Sequence, residues 1–241
     1  MSATVTNVPP AGRPKRQRNL RGEGEHLKDE IIGAATFLLE QSGTEYTLSL
    51  RAIAREVGVA PPSVTRHFAD VMEIIDAVAA REGARLGTVL AAAAASATSP
   101  VERLFAICRA YVGYGRAHPA RYRVLVGRHF LADWKAQTRA MELTSPVLAA
   151  NLAIIIETVQ DCIDTGASAG TDAFFDTAVL WFALHGLLTV TAAFTSIDWP
   201  EQEQLLIACI TRAVRLTGDT RRPSDKANKT ALSDPPRRAR P

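Results

Sequence analysis

Apolar residues recur at three- and four-residue intervals through most of this chain, the period of a helix with one buried side. Ile31, Ala34, Ala35, Leu38 and Leu39 follow it, and so do Leu104, Ile107, Cys108 and Tyr111. The residues between such runs read as helix starts and stops. Ser99-Pro100-Val101-Glu102 combines an N-cap serine, a first-turn proline and a glutamate placed to bond back. Asp70-Val71-Met72-Glu73 and Asp198-Trp199-Pro200-Glu201 repeat the form with aspartate, and Ser145-Pro146 and Thr171-Asp172 open two further candidates. Gly43, Gly166 and Gly218 stand where helices would end, and His118-Pro119 marks another break. The predicted helices run roughly over 25–42, 49–57, 61–67, 70–95, 99–117, 119–140, 145–165, 172–196 and 199–217. No alternating run with an Asn-Gly or Asp-Gly turn occurs. The predicted fold is all-α, with about nine helices.

Composition sets the outer limits. Of 241 residues, 47% are hydrophobic and 22% charged, which excludes a wholly disordered or collagen-like chain and leaves enough for a sizeable core. Cys108, Cys162 and Cys209 are far apart and odd in number, so neither a disulfide framework nor a zinc ribbon is expected. Such usage suits a reducing cytoplasm, and the first 24 residues hold no apolar run that would serve as a secretory signal.

The net charge of +3 hides an uneven distribution. Residues 1–24 carry Arg13, Lys15, Arg16, Arg18 and Arg21 against Glu23, and residues 219–241 carry seven cations against three acids. The stretch between is therefore acidic, at −5. Four segments are expected: a disordered basic arm at 1–24, a helical domain at 25–70, a larger helical domain at 71–218, and a disordered tail at 219–241. Basic tails of this kind are either solvated or arms for an anionic partner.

The segment from Leu48 to Phe68 fits two short helices joined by a tight turn. Ser49 caps the first, and Leu50, Ile53, Ala54 and Val57 form its apolar side. Gly58 allows the turn, Val59 plugs it, and Pro61-Pro62 opens the second helix, where missing N–H groups cost least. That is helix-turn-helix spacing, in which the second helix enters the major groove. The same spacing also suits a helical hairpin that only packs.

The stretch from Leu27 to Ile75 resembles the N-terminal domain of the TetR/AcrR family of transcriptional regulators. The resemblance lies in Leu38-Leu39-Glu40-Gln41-Ser42-Gly43, in Leu50-Arg51-Ala52-Ile53-Ala54-Arg55-Glu56-Val57-Gly58-Val59, in Arg66-His67-Phe68 and in the Asp70-opened helix. Trp181-Phe182-Ala183-Leu184-His185-Gly186 is similar to the Trp-x-x-x-His-Gly signature of one subgroup of the family's C-terminal domains. The resemblance implies that 25–70 is a helix-turn-helix DNA-binding domain and 71–218 a helical effector-binding and dimerisation domain. It implies double-stranded operator DNA, a small-molecule effector and a second copy of the chain as partners, in the cytoplasm and with no membrane.

Carried over residue by residue, it places Ser63 and Arg66 at bases or backbone, Pro61 and Pro62 against sugar-phosphate or a thymine methyl, and His67 on phosphate. Ser49 and Thr65 join them as candidate DNA contacts, with Arg13, Lys15, Arg16 and Arg18 of the arm. Thr65 replaces the family's usual phosphate-binding tyrosine, and Val71 its usual lysine; both departures weaken backbone anchoring. Residues 25–70 hold four cations against seven acids, so the arm is the available source of phosphate neutralisation.

In the C-terminal part, Tyr111, Tyr114, Trp134 and Trp181 are the candidate effector-binding residues, each joining a polar tip to an apolar body. His185 follows Trp181 by four residues and so shares its side of a helix. It reads as a hydrogen-bonded buried histidine, since no second ligand follows at zinc spacing and no metal is expected. Residues 177–197 carry no formal charge and are just long enough to span a bilayer, which keeps a membrane-anchored protein as an alternative. Six polar residues and acidic flanks without Lys/Arg asymmetry favour instead a helix buried on one side by its own core and on the other by a partner subunit. No phosphate loop, HExxH, G-x-S-x-G or carboxylate pair is present. Neither an enzyme nor a cofactor is implied, and no catalytic residue is assigned. The resulting expectation is a repressor that binds a palindromic operator as a dimer and is released by a small apolar effector. A helical ligand-binding or membrane-anchored protein without DNA binding is the alternative.

Overall fold

The helix ends explain most of the architecture. In the computed structural model, which describes residues 24–43, 47–131 and 146–218, nine α-helices and no strand occur among the described residues. They are α1 (Gly24–Ser42), α2 (Leu50–Val57), α3 (Pro61–Thr65), α4 (Val71–Ala95), α5 (Pro100–Ala117), α6 (Pro119–Leu131), α7 (Pro146–Asp164), α8 (Ala173–Ala193) and α9 (Gln202–Ala213). The all-α expectation holds. Asp70 caps α4 by accepting from Glu73 N–H at 2.9 Å, while the Glu73 carboxylate accepts from Ala69 N–H at 2.5 Å. Ser99 and Glu102 make the reciprocal pair that starts α5, and Asp172 accepts from Phe175 N–H at 2.9 Å to start α8.

The start and end of α9 differ from expectation. The residue before it is Glu201, whose side chain caps nothing, and Asp198 lies outside the helix. Trp199 is turned back instead: its indole N–H donates to the Phe194 carbonyl at 2.9 Å, satisfying the end of α8. Gly218 does not terminate α9. Arg215 takes the left-handed conformation, with φ of 52°, and the chain from Arg215 to Thr217 then bonds to the loop after α7. Ser168 and Leu216 form an isolated antiparallel bridge there.

The described residues divide into two compact units. One comprises residues up to Glu82 together with α6 from His118 onward; the other comprises Gly83 to Ala117 and the chain from Pro146. The first half of α4 thus belongs to one unit and the second half to the other.

In the first unit, Ile31, Ala35 and Leu39 of α1, Ile53 and Ala54 of α2, Val64, Phe68, Ile74 and Val78 share one buried cluster, which α6 joins through Val124. Arg121 adds an ionic tie, 2.7 Å from Glu40 on α1 and 3.5 Å from the buried Glu82 on α4. In the second unit, α5, α7, α8 and α9 pack on one another around Leu104, Ile107, Ile155, Val159, Leu180, Leu184, Leu206 and Ile210. Asn151 of α7 enters between two glycines of α4, donating to the Gly83 carbonyl at 2.9 Å where a Cβ at Gly87 would run into its Oδ1.

Candidate functional site

In the first unit, α2 and α3 form the predicted pair of short helices. The Ser49 hydroxyl accepts from Ala52 N–H at 3.1 Å and starts α2. Gly58 ends it at φ 79°, where a side chain would be strained. The Gly58 and Val59 N–H groups close on the Arg55 and Ala54 carbonyls at 3.2 and 2.9 Å, so the chain turns within two residues. α3 then begins on Pro61 and Pro62, at helix positions that need no donor.

Val64 is fully buried, which fixes the rotation of α3. Pro61, Pro62, Thr65 and Arg66 are left exposed, with Ser63 and His67 half-buried between them and the core. Helical geometry stops at Thr65, and the His67 and Phe68 N–H groups both close on the Val64 carbonyl. The Thr65 hydroxyl donates to the Pro62 carbonyl at 3.2 Å. The structure therefore gathers Pro61, Pro62, Ser63, Thr65, Arg66 and His67 on one short stretch and uses Ser49 as a cap beside it. Arg13, Lys15, Arg16 and Arg18 lie outside the described residues, as does Trp134.

In the second unit, Tyr111 and Tyr114 are buried on α5, and Trp181 is half-buried on α8. His185 connects Tyr111 to Trp181. Its Nδ1 lies 3.0 Å from the Trp181 carbonyl, and both ring nitrogens are 3.3 Å from the Tyr111 hydroxyl. The indole and imidazole meet edge-on with centroids 4.8 Å apart. Burial lowers the His185 pKa below 6.5, while the hydrogen bond to the Trp181 carbonyl pulls weakly the other way. The ring is neutral near pH 7. Nδ1–H donating to Trp181 leaves Nε2 to accept from Tyr111.

Burial pushes the Cys108 thiol up to about 12 and Cys162 to about 11, and raises Cys209 as well. All three remain protonated at neutral pH and make poor nucleophiles.

α7 and α8 are each long and apolar enough to cross a membrane by length and composition. In α8 the two sides differ. Ala173, Asp176, Thr177, Leu180, Leu184, Leu187 and Leu188 face the core, while Phe175, Val179, Phe182 and Val190 are exposed. Gly186 falls between Phe182 and Val190 on the exposed side, with open space where a Cβ would be.

Residues 104–214 match the family model of the tetracyclin repressor-like C-terminal domain. A protein of unknown function from Rhodococcus sp. RHA1 shares the fold with a TM-score of 0.65 at 24% identity, over 86% of this chain and 100% of its own. The fatty acid degradation regulator FadR from Bacillus halodurans does so with a TM-score of 0.61 at 16% identity, over 85% and 100%. A TetR-family regulatory protein from Rhodococcus RHA1 gives a TM-score of 0.55 at 17% identity, over 79% and 96%. No curated protein matches the chain in sequence. The fold is that of TetR-like regulators.

Three features carry no sequence motif. Arg121 bridges Glu40 and Glu82. Arg215 binds Asp176, whose carboxylate is buried in the first turn of α8. Thr177, next to it, is buried with its hydroxyl unpaired. Asp176 reads in sequence only as an acidic flank of an apolar run.

Proposed function

We propose that this chain is a ligand-responsive, DNA-binding transcriptional regulator. In this reading it is a cytoplasmic homodimer that represses by holding a palindromic operator and is released by a small apolar effector. The observation that carries the reading is α3: a helix begun by two prolines, held by buried Val64, with Pro61, Pro62, Thr65 and Arg66 outward. In a major groove Arg66 would reach guanine O6 and N7, and Ser63 almost any base edge. The TetR-like fold supports placing the effector in the second unit, among Tyr111, Tyr114 and Trp181 beside His185, with Trp134, which lies outside the described residues, as a fourth candidate. The Trp181-to-Gly186 hexapeptide supports the Trp-x-x-x-His-Gly subgroup. An effector shifts such a protein only through different affinity for its two states.

The exposed side of α8 supports the dimer. Phe175, Val179, Phe182 and Val190 form an apolar row, and Gly186 within it lets a second backbone come close. Pairing with the same row of a second copy is a symmetric solution that covers both.

The test is selection of DNA fragments by the purified full-length protein at low salt, followed by Arg66→Ala on the selected sequence. A selected palindrome is expected, with about 1–3 kcal/mol of discrimination lost at one base position per half-site. Equal loss on all sequences would make Arg66 a phosphate contact. Failure to select any sequence would leave a helical ligand-binding protein, and a requirement for detergent would favour the membrane-anchored alternative.

A further inference from the structure

Thr177 departs from the pattern that five other helical threonines follow. Thr36, Thr88, Thr158, Thr189 and Thr191 each donate their hydroxyl to the carbonyl four residues back, at 2.5 to 3.1 Å. That bond is the default for a hydroxyl inside a helix, because the acceptor is always within reach. Thr177 is the fifth residue of α8, with the Ala173 carbonyl four residues back; it is 1% exposed, and its Oγ1 has no hydrogen-bond partner. The fold gains no hydrogen bond from this hydroxyl.

Its position gives the orphan a context. Thr177, Trp181 and His185 follow one another at four-residue spacing, so they form a single row about 12 Å long on α8. Trp181 is half-buried, with its indole stacked on Phe182 at 6.1 Å between centroids; His185 closes the far end with Tyr111. At the near end the cation is already engaged, since both Asp176 carboxylate oxygens accept from Arg215 at 3.1 and 3.2 Å. Arg103 and Arg109 are likewise paired, with Asp161 and Glu203. An anionic ligand would meet engaged arginines and lie one residue from a carboxylate. A neutral one that reached into the core would find an unpartnered hydroxyl one turn from an indole.

Resting on the effector-binding reading above, we infer that Thr177 Oγ1 is the polar group that reads the effector. The ligand class is an uncharged, flat, largely apolar molecule carrying one hydroxyl, which exchanges a hydrogen bond with Thr177 while its body lies along Trp181.

Three matched probes separate the contributions: 2-naphthol, naphthalene and 2-naphthoate, measured by equilibrium dialysis on the full-length protein without DNA. The wild type is expected to bind 2-naphthol at least tenfold more tightly than either of the others. Thr177→Val keeps the shape and removes the hydroxyl, so it should bring 2-naphthol down to the affinity of naphthalene. It should leave naphthalene unchanged and the melting temperature no lower. Thr177→Ser should retain the preference. The inference is overturned if no probe binds, if 2-naphthoate is preferred, or if the valine variant keeps the wild-type ranking. A valine variant that melts lower with its ranking intact would mean that Oγ1 serves a bound water. Because DNA is absent, loss of operator selection with this ranking intact counts against the regulator and leaves Thr177 standing. An intact operator with no ranking does the reverse.

Discussion

Arg215 reaches the buried Asp176 carboxylate from a left-handed backbone position, with Nη2 3.1 and 3.2 Å from its two oxygens. The pair fastens the end of α9 to the start of α8. Asp176 also bounds the loop between α7 and α8, because a Cβ at Gly170 would run into its Oδ2. Arg215→Ala removes the partner of a buried carboxylate and keeps the left-handed strain. The Arg215 side chain is 46% exposed, so solvent recovers part of the loss, and we expect about 1–3 kcal/mol from denaturant unfolding. Arg215→Gly loses the same ion pair but relieves the backbone, and should be about 1 kcal/mol more stable than the alanine variant.

The two sides of α8 predict opposite outcomes for the same kind of substitution. Leu187 on the buried side of α8, and Leu206 of α9, are 7% and 3% exposed and belong to the chain's own core. A charge at either should unfold or precipitate the protein, at a cost of several kcal/mol. Phe182 is 62% exposed. Phe182→Asp should leave the helical circular-dichroism spectrum and the unfolding cooperativity intact while shifting sedimentation from dimer to monomer. A monomeric wild type at micromolar concentration, or a Phe182→Asp protein that remains dimeric, removes α8 from the proposed interface.

What could be read from sequence was what local chemistry decides. Asp70, Ser99 and Asp172 announce their helices because the acceptor and the amide it satisfies are three residues apart, and Gly58 announces its turn because backbone sterics permit little else. The start of α9 departs from the local pattern for a tertiary reason: Trp199 satisfies the preceding helix, and Asp198 lies outside the cap position. Its end departs similarly, since Arg215 holds a conformation that glycine favours while bound to Asp176, 39 residues away. In the candidate site, Trp181 and His185 are an i,i+4 pair visible in one dimension. Tyr111 joins them only through packing of α5 on α8, and no sequence pattern says which way the Thr177 hydroxyl turns.

His185 makes stability depend on pH. Its folded pKa lies below the unfolded value of about 6.5, because burial disfavours the charged ring. Below that value the unfolded chain takes up a proton that the folded chain resists, so stability falls as pH drops and is highest above it. Denaturant midpoints at pH 7.5, 6.0 and 5.0 should therefore decline more steeply in the wild type than in His185→Gln. Parallel declines would place the acid sensitivity on other groups.

The last prediction concerns the arm that precedes α1, whose residues lie outside the described structure but whose charge is known. Residues 25–70 are acidic by three charges, although neutralising phosphates supplies most non-specific affinity for DNA. The structure removes two substitutes for backbone anchoring. Thr65 donates its hydroxyl to Pro62, and Val71 packs against the core cluster of the first unit. Arg13, Lys15, Arg16, Arg18 and Arg21 are then the cations available just before the first helix. Each phosphate neutralised contributes about −0.9 to the slope of log K against log salt, and a dimer brings two arms. Deleting residues 1–22 should weaken operator binding and flatten that slope by several units. Base preference should survive, because phosphate contacts position a protein while base contacts specify it. Operator affinity over a salt series for both proteins decides the matter: coincident slopes would mean that the arm contacts no phosphate and that anchoring comes from elsewhere in the dimer.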